Sequence, residues 1–223
     1  YNGCGISDST EYINLKNKML KSVYEKGGFW ISQYEIGADT TVTSEDTSRV
    51  PRSKADKYPY NHVTCAQAQQ LATNMNSNDL TSSLLFGIQW DLTLKFIEKN
   101  GEITKNQITS DSTSWGNYQN SNFTIYKGKY SNDTGKNYTD VNNYYSISHT
   151  GTGEYTLLTT GTTKRKLNIF DLAGNLCEYT LENSEQKSVI RGGTYTEAGN
   201  SSSAFSRNTA SDNSIIGFRV SLY

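Results

Sequence analysis

Cysteine and histidine, whose spacing often identifies a redox, metal or nucleophilic site, are scarce in this chain. It contains the cysteines Cys4, Cys65 and Cys177 and the histidines His62 and His149. The cysteines lack the C-x-x-C spacing of a metal site, and neither histidine lies in a motif that pairs a base with a nucleophile. At least one thiol must be unpaired. We expect Cys65 and Cys177 to be small buried hydrophobes, Cys4 to lie in a linker, and both histidines to lie on the surface.

Hydroxyl and amide side chains dominate a segment near the end of the chain. Residues 194–214 consist mainly of Ser, Asn, Thr and Ala, with isolated aromatic rings at Tyr195 and Phe205. This composition is typical of adaptable binding surfaces, because rings supply contact area and small polar groups supply versatile hydrogen bonds. The segment is therefore a candidate recognition surface, and the alternative is an ordinary polar loop.

Composition narrows the possible partners. The net charge is −1, from 21 basic and 22 acidic residues, and no basic run supplies the clustered charge that nucleic-acid binding needs. No stretch approaches the roughly 18 apolar residues of a membrane span, so we expect neither nucleic-acid binding nor membrane insertion. The start at Tyr1 indicates a mature form or a piece of a longer protein. We expect one domain over residues 10–223 behind a tail or linker of residues 1–9.

Hydrophobic periodicity predicts the elements that would position these residues. Apolar residues recur at helical spacing in three stretches, and an aromatic, β-branched run predicts a strand. Long polar stretches with regular aromatic residues indicate ordered loops. The predicted helices are 11–26, 64–75 and 89–99, the predicted strand is 29–36, and the predicted loops are 37–60 and 101–163.

Three blocks in the last third of the chain carry a family resemblance. They are NIFDLAGNLCEY at 168–179, RGGTY at 191–195 and GFRV at 217–220. In order and spacing they resemble the C-terminal half of the formylglycine-generating-enzyme (sulfatase-modifying factor) family. The resemblance implies an α+β, C-type-lectin-like single domain with short twisted strands, two or three helices and much ordered coil. We expect Arg191 and Arg219 to pair with acidic groups in its core.

The same resemblance bears on metals. It implies a structural Ca²⁺ held by Asp171, Gly174, Leu176 and Glu178, and carboxylate and carbonyl oxygens do suit this hard cation. The alternative is that the two carboxylates cap the turn through backbone N–H groups. Enzymes of the family carry two cysteines after the R-G-G block, whereas no cysteine follows Cys177 here. We therefore expect no copper, which as Cu(I) needs soft thiolate ligands, and no enzymatic activity.

Residues 194–214 also resemble the variable region of proteins that retroelements diversify in phages and bacteria on the same lectin-like scaffold. The expected function is a non-catalytic binding module of a secreted, cell-surface or phage-virion protein, with a protein or glycan ligand on another cell or virion. The alternatives are a divergent oxidase of the formylglycine-generating type or another metal enzyme, and a structural spacer domain. The predicted contact residues are Trp115, Tyr195, Glu197, Asn200, Ser203, Phe205 and Asn208.

Overall fold

The computed structural model describes residues 4–76, 79–149, 153–163, 166–185, 187–210 and 212–223. These residues form a mixed α+β structure, which confirms the predicted class. The helices are α1 (Ser9–Lys26), α2 (Cys65–Thr73), α3 (Gly87–Lys99) and α4 (Lys105–Thr109). The strands are β1 (Trp30–Ile31), β2 (Gly37–Ala38), β3 (Tyr58–Pro59), β4 (Ser82–Leu84), β5 (Asn122–Ile125), β6 (Gly128–Ser131), β7 (Thr139–Val141), β8 (Tyr145–Ser148), β9 (Leu157–Leu158), β10 (Cys177–Ser184), β11 (Lys187–Arg191), β12 (Arg207–Thr209), β13 (Ile216–Phe218) and β14 (Val220–Leu222).

The three predicted helices are confirmed within two residues at either end, because local capping chemistry sets their limits. Asp8 accepts the N–H of Glu11 at the start of α1, and Gly27 ends that helix with φ 81°. A reciprocal capping box between Thr64 and Gln67 begins α2. Helix α4 has the same type of box and was not predicted, so the described residues contain four helices where two or three were expected.

The strands form five small sheets within the described residues. The largest has the order β12-β11-β10-β13, in which β10 and β13 are parallel and the other pairs antiparallel. A second sheet, β1-β14-β4, joins an early strand to the end of the chain. The others are β2-β3, β5-β8 and β7-β6-β9. Strand β12 lies at the edge of the largest sheet and is part of residues 194–214.

Two stretches differ from prediction. Of the predicted strand 29–36 only β1 is a strand, because only Trp30 and Ile31 pair with β14. The predicted loops 101–163 instead contain α4 and β5–β9, whose strands enclose a small core of their own. That core consists of Ile125, Val141, Ile147 and Leu158.

The predictions for the cysteines and histidines also need correction. Cys4 is buried and forms a disulfide with Cys65, so Cys4 belongs to the core and Cys65 is not a free hydrophobe. Cys177 is a buried free thiol, as predicted, and donates to the carbonyl of Ile215 over 3.2 Å. The surface prediction for His149 is wrong, because its ring is only 9% exposed and lies 3.0 Å from the Tyr118 carbonyl.

Candidate binding surface

Residues 194–214 are held in place largely by groups outside the segment. The Trp90 indole donates to the carbonyl of Ala204 over 2.9 Å, and the Ser112 hydroxyl accepts the Ala204 N–H over 2.9 Å. The Asn120 side-chain oxygen accepts the N–H of Gly199 over 3.0 Å. Since these bonds go to the segment's backbone, they do not depend on which side chains the segment carries.

Arg191 is the most heavily bonded of these supports. Its side chain is fully buried and donates to the carbonyls of Ser206, over 2.9 Å, and Phe205, over 3.3 Å. The same guanidinium pairs with Asp91 over 2.6 Å and with Glu182 over 3.3 Å. Burial lowers the pKa of Arg191, and the two carboxylates oppose that shift. The predicted pairing of this arginine with acidic groups is confirmed, but Asp91 and Glu182 are partly exposed and do not belong to the core.

Phe205 is an ordered aromatic group on this surface. Its ring lies 5.4 Å from the Arg191 guanidinium and 5.1 Å from that of Arg207, at cation–π distance from both. Arg207 is itself fixed by Glu182, over 2.7 Å, and by Asp91. The ring remains 37% exposed, so a partner would meet an aromatic group that is already positioned, at low entropic cost.

Polar side chains beside Phe205 are exposed. Asn200 and Asn208 are both exposed, and neither amide makes a side-chain hydrogen bond to any residue that the structure describes. Glu197 is half-buried. These residues surround Phe205 in the chain, and their contact with a ligand stays a prediction.

Three predicted contact residues are buried instead. Trp115 is 5% exposed and its indole donates to the carbonyl of Gln107. Tyr195, 1% exposed, packs in a small hydrophobic cluster, and the Ser203 hydroxyl donates to the carbonyl of Thr109. These side chains are therefore buried against other parts of the chain and do not present a contact surface. A large apolar ring in a polar loop is as consistent with anchoring as with recognition, so composition alone did not separate the two roles.

Sequence reasoning missed Arg207 and Thr209 on this surface. Both are exposed on β12, whose outer edge pairs with no strand among the described residues. The signal for Arg207 was its cation two residues after an isolated aromatic ring, a spacing that suits cation–π contact in an extended chain. No comparable signal distinguished Thr209.

The two carboxylates among the four predicted calcium ligands, those of Asp171 and Glu178, already have protein partners. Asp171 accepts from the N–H of Gly161 over 2.6 Å and from the hydroxyl of Thr163 over 2.7 Å. Both carboxylate oxygens of Glu178 accept from Arg219, which confirms the predicted role of that arginine.

The other two predicted ligands would bind the cation through their backbone carbonyl oxygens. Gly174 donates its N–H to the carbonyl of Gly192, and Leu176 is a buried core residue. Among the described residues, no group of three or more His, Cys, Asp or Glu is arranged to hold a metal ion. Calcium at Asp171, Gly174, Leu176 and Glu178 stays a prediction.

A third buried carboxylate lies close to these two. Glu35 is fully buried, and its Oε1 has no hydrogen-bond partner. Its pKa is raised well above the usual range, mainly by burial and further by the charges of Asp171 and Glu178. This oxygen has the type of lone pair that a hard cation would need.

Comparisons with known proteins add little. No protein-family model matches the chain, and no curated protein matches it, so the resemblance to the formylglycine-generating-enzyme family is not supported. No helix in the described part of the chain is both long and apolar enough to cross a membrane. Among solved structures, the chain is similar to Treponema denticola variable protein 1, with 16% identity and a TM-score of 0.35 over 66% of this chain and 49% of that protein. The chain thus spans about half of that protein, and a TM-score this low does not establish a common fold.

Proposed function

We propose that this domain is a non-catalytic ligand-binding module that recognises a protein or a glycan through the exposed part of residues 194–214. The observation that carries the proposal is that the backbone and the outward side chains of this segment have different roles. Its backbone is held by Trp90, Ser112, Asn120 and Arg191. Its outward side chains contribute little to that support.

This division favours recognition for a physical reason. A preordered backbone avoids much of the conformational entropy that a flexible loop would lose on binding. Exposed amides and a fixed ring then supply the combination found in adaptable binding surfaces. Asn200, Phe205 and Asn208 are therefore the side chains that we expect to contact the ligand, with Glu197 beside them.

Catalysis is the less favoured function because the three cysteines and one of the two histidines are already engaged or buried. Two of its three cysteines are bonded to each other. The third, Cys177, is buried, and burial raises the pKa of its thiol well above the usual range, which disfavours the reactive thiolate. Both ring nitrogens of His149 contact other groups, the Tyr118 carbonyl and the Thr156 hydroxyl.

The disulfide between Cys4 and Cys65 supports an oxidising, extracellular setting, since such bonds are rare in the cytosol. We accordingly place the module on a cell surface, on a virion or in a secreted protein. Diversification by a retroelement belongs to the same proposal. Sequencing the locus from related isolates tests it, with substitutions concentrated at adenines in the codons of residues 194–214 as the expected result.

The binding function is tested with two matched triple variants. N200A/F205A/N208A removes two amides and one aromatic ring from the proposed surface, and N14A/N17A/Y24A removes the same groups from exposed positions on α1. The labelled domain is applied to a glycan array and to a panel of purified surface proteins. We expect the first variant to lose on the order of 100-fold in affinity for any ligand found, since a few anchors dominate interfaces. Equal loss in both variants, or none in the first, would overturn the proposal.

A further inference from the structure

A small cavity lies within the proposed binding surface. Its volume is about 160 Å³, and Glu197, Ser202, Asn208, Thr209 and Cys177 are among the residues that line it. Ligand pockets for drug-sized molecules span about 300–1,000 Å³, so this cavity is too small for such a ligand. Its size suits one side chain of a partner.

The cavity contains polar groups without partners. Ser202 is 2% exposed, and its hydroxyl oxygen makes no hydrogen bond within the described structure. Leaving a buried hydroxyl unsatisfied is unfavourable, so a ligand that bonds to it recovers free energy. The carboxylate of half-buried Glu197 likewise has no ion pair or side-chain hydrogen bond with any described residue.

The lining of the cavity also carries a negative charge. Glu197 is the one charged residue among the described residues that line it. Burial raises the pKa of the Cys177 thiol, and the negative charge of Glu197 raises it further. Arg191 and Arg207, the cations of the neighbouring sheet, are held by Asp91 and Glu182.

We infer that this cavity receives a lysine side chain of a protein partner, an inference that rests on the proposed binding function. A lysine ammonium is a compact cation with three donors on an apolar stem. Glu197, Ser202 and Asn208 offer oxygens to that ammonium, and Ile190 and Ile215 in the cavity wall offer apolar contact to the stem. A protein ligand is thereby favoured over a neutral glycan.

The test uses Nα-acetyl-lysine methylamide as the probe, titrated into the ¹⁵N-labelled domain and followed by NMR. Nα-acetyl-norleucine methylamide has nearly the same stem without the charge. We expect the lysine probe to shift the signals of Ser202 and Asn208 and to bind at least tenfold more tightly than the norleucine probe. Equal binding of the two probes would overturn the inference, and so would tighter binding of the matching arginine probe.

Two variants locate the site. Glu197→Gln keeps the shape of the side chain and should weaken the lysine probe about tenfold, since the ammonium loses its ion pair with the carboxylate and keeps only a hydrogen bond to a neutral amide oxygen. Glu185→Gln removes an exposed carboxylate outside the cavity and should have no effect. Matching amide spectra and melting temperatures establish that both variants fold. Wild-type affinity in Glu197→Gln would overturn the inference.

Two double variants separate this inference from the proposed function. For any macromolecular ligand found, N200A/F205A tests the outer surface and E197Q/S202A tests the cavity. Loss of binding in the first variant alone refutes the lysine pocket and leaves the binding module standing. Loss only in the second supports the pocket and refutes the outer surface.

Discussion

Two polar regions of this molecule achieve order in different ways. The described part of residues 194–214 contains little regular structure beyond β12 and the start of a 3₁₀ turn over Asn213–Ile215, and groups elsewhere in the chain hold its backbone. Residues 122–158, the β5–β9 region, pair their own strands and enclose their own small core. Similar Asn-, Ser- and Thr-rich compositions thus yield one segment that depends on external supports and one that supports itself.

The two regions should differ in the substitutions that they tolerate. In the externally held segment, the exposed side chains contribute little to folding, so they can change as a ligand requires. In the β5–β9 region, the side chains themselves form the core, so changes there cost stability directly. The difference predicts a separation between positions that govern binding and positions that govern the free energy of unfolding.

The strongest test is to remove the main external support. Arg191→Met should lower the free energy of unfolding by about 3–5 kcal/mol, because it breaks a buried ion pair and leaves the acceptors of Ser206 and Phe205 unpaired. Urea denaturation measures the loss. The control is Arg207→Met. Arg207 contacts the same two acids, but its side chain is 38% exposed, so its loss should lower the free energy of unfolding by about 1 kcal/mol or less. Similar losses in the two variants would contradict the external-support model.

A second test is directed at the self-supporting region. Ile125 is fully buried in the core of the β5–β9 region, so Ile125→Ala should cost about 2–4 kcal/mol through lost burial and the cavity it leaves. Ligand affinity measured on the folded fraction should stay unchanged, since the residue lies outside residues 194–214. A loss of affinity in that fraction would show that the two regions are coupled.

The predicted calcium ligands lie between the two regions in the chain. Asp171 accepts hydrogen bonds from Gly161 and Thr163, just beyond β9, while Glu178 lies in β10. For a dissociation constant of about 10⁻⁴–10⁻³ M, Ca²⁺ at about 1 mM should add about 1 kcal/mol of stability, or about 2–4 °C in melting temperature. Excess chelator should remove this gain. Asp171→Asn should abolish the calcium-dependent shift. If neither Ca²⁺ nor chelator changed the melting temperature of the wild type, Asp171 and Glu178 would not be calcium ligands.

The sequence predicted local features better than distant ones. Helices α1, α2 and α3 follow from periodicity and from caps a few residues away, such as Asp8, Thr64 and Gly27. The ion pair of Arg219 with Glu178 was anticipated from a buried cation's need for acidic partners. The Cys4–Cys65 bond and the strand pairings of the β5–β9 region join residues far apart in the chain. No local pattern specifies such pairings.

The candidate surface shows the same limit. Asn200, Phe205 and Asn208 are exposed as predicted, whereas Trp115 and Tyr195 are buried. An aromatic ring in a polar segment serves equally well as an anchor or as a contact, and only the packing around it decides between them. Tyr195 is covered by Leu157 and Leu176, which come from other parts of the chain.

The smallest effect on stability gives the most specific test of the comparison. Asn200→Ala with Asn208→Ala removes two exposed amides that make no side-chain hydrogen bond to any described residue. The free energy of unfolding should therefore change by no more than about 0.5 kcal/mol, while affinity for a ligand of this surface falls about tenfold or more. The matched control replaces two hydrogen-bonded amides of the scaffold, Asn117 and Asn175, and should show the reverse pattern, with a large loss of stability. An equal loss in the free energy of unfolding for the exposed pair and the scaffold pair would show that the outward side chains are part of the structural support. The proposed separation between residues that hold the segment and residues that bind a ligand would then be wrong.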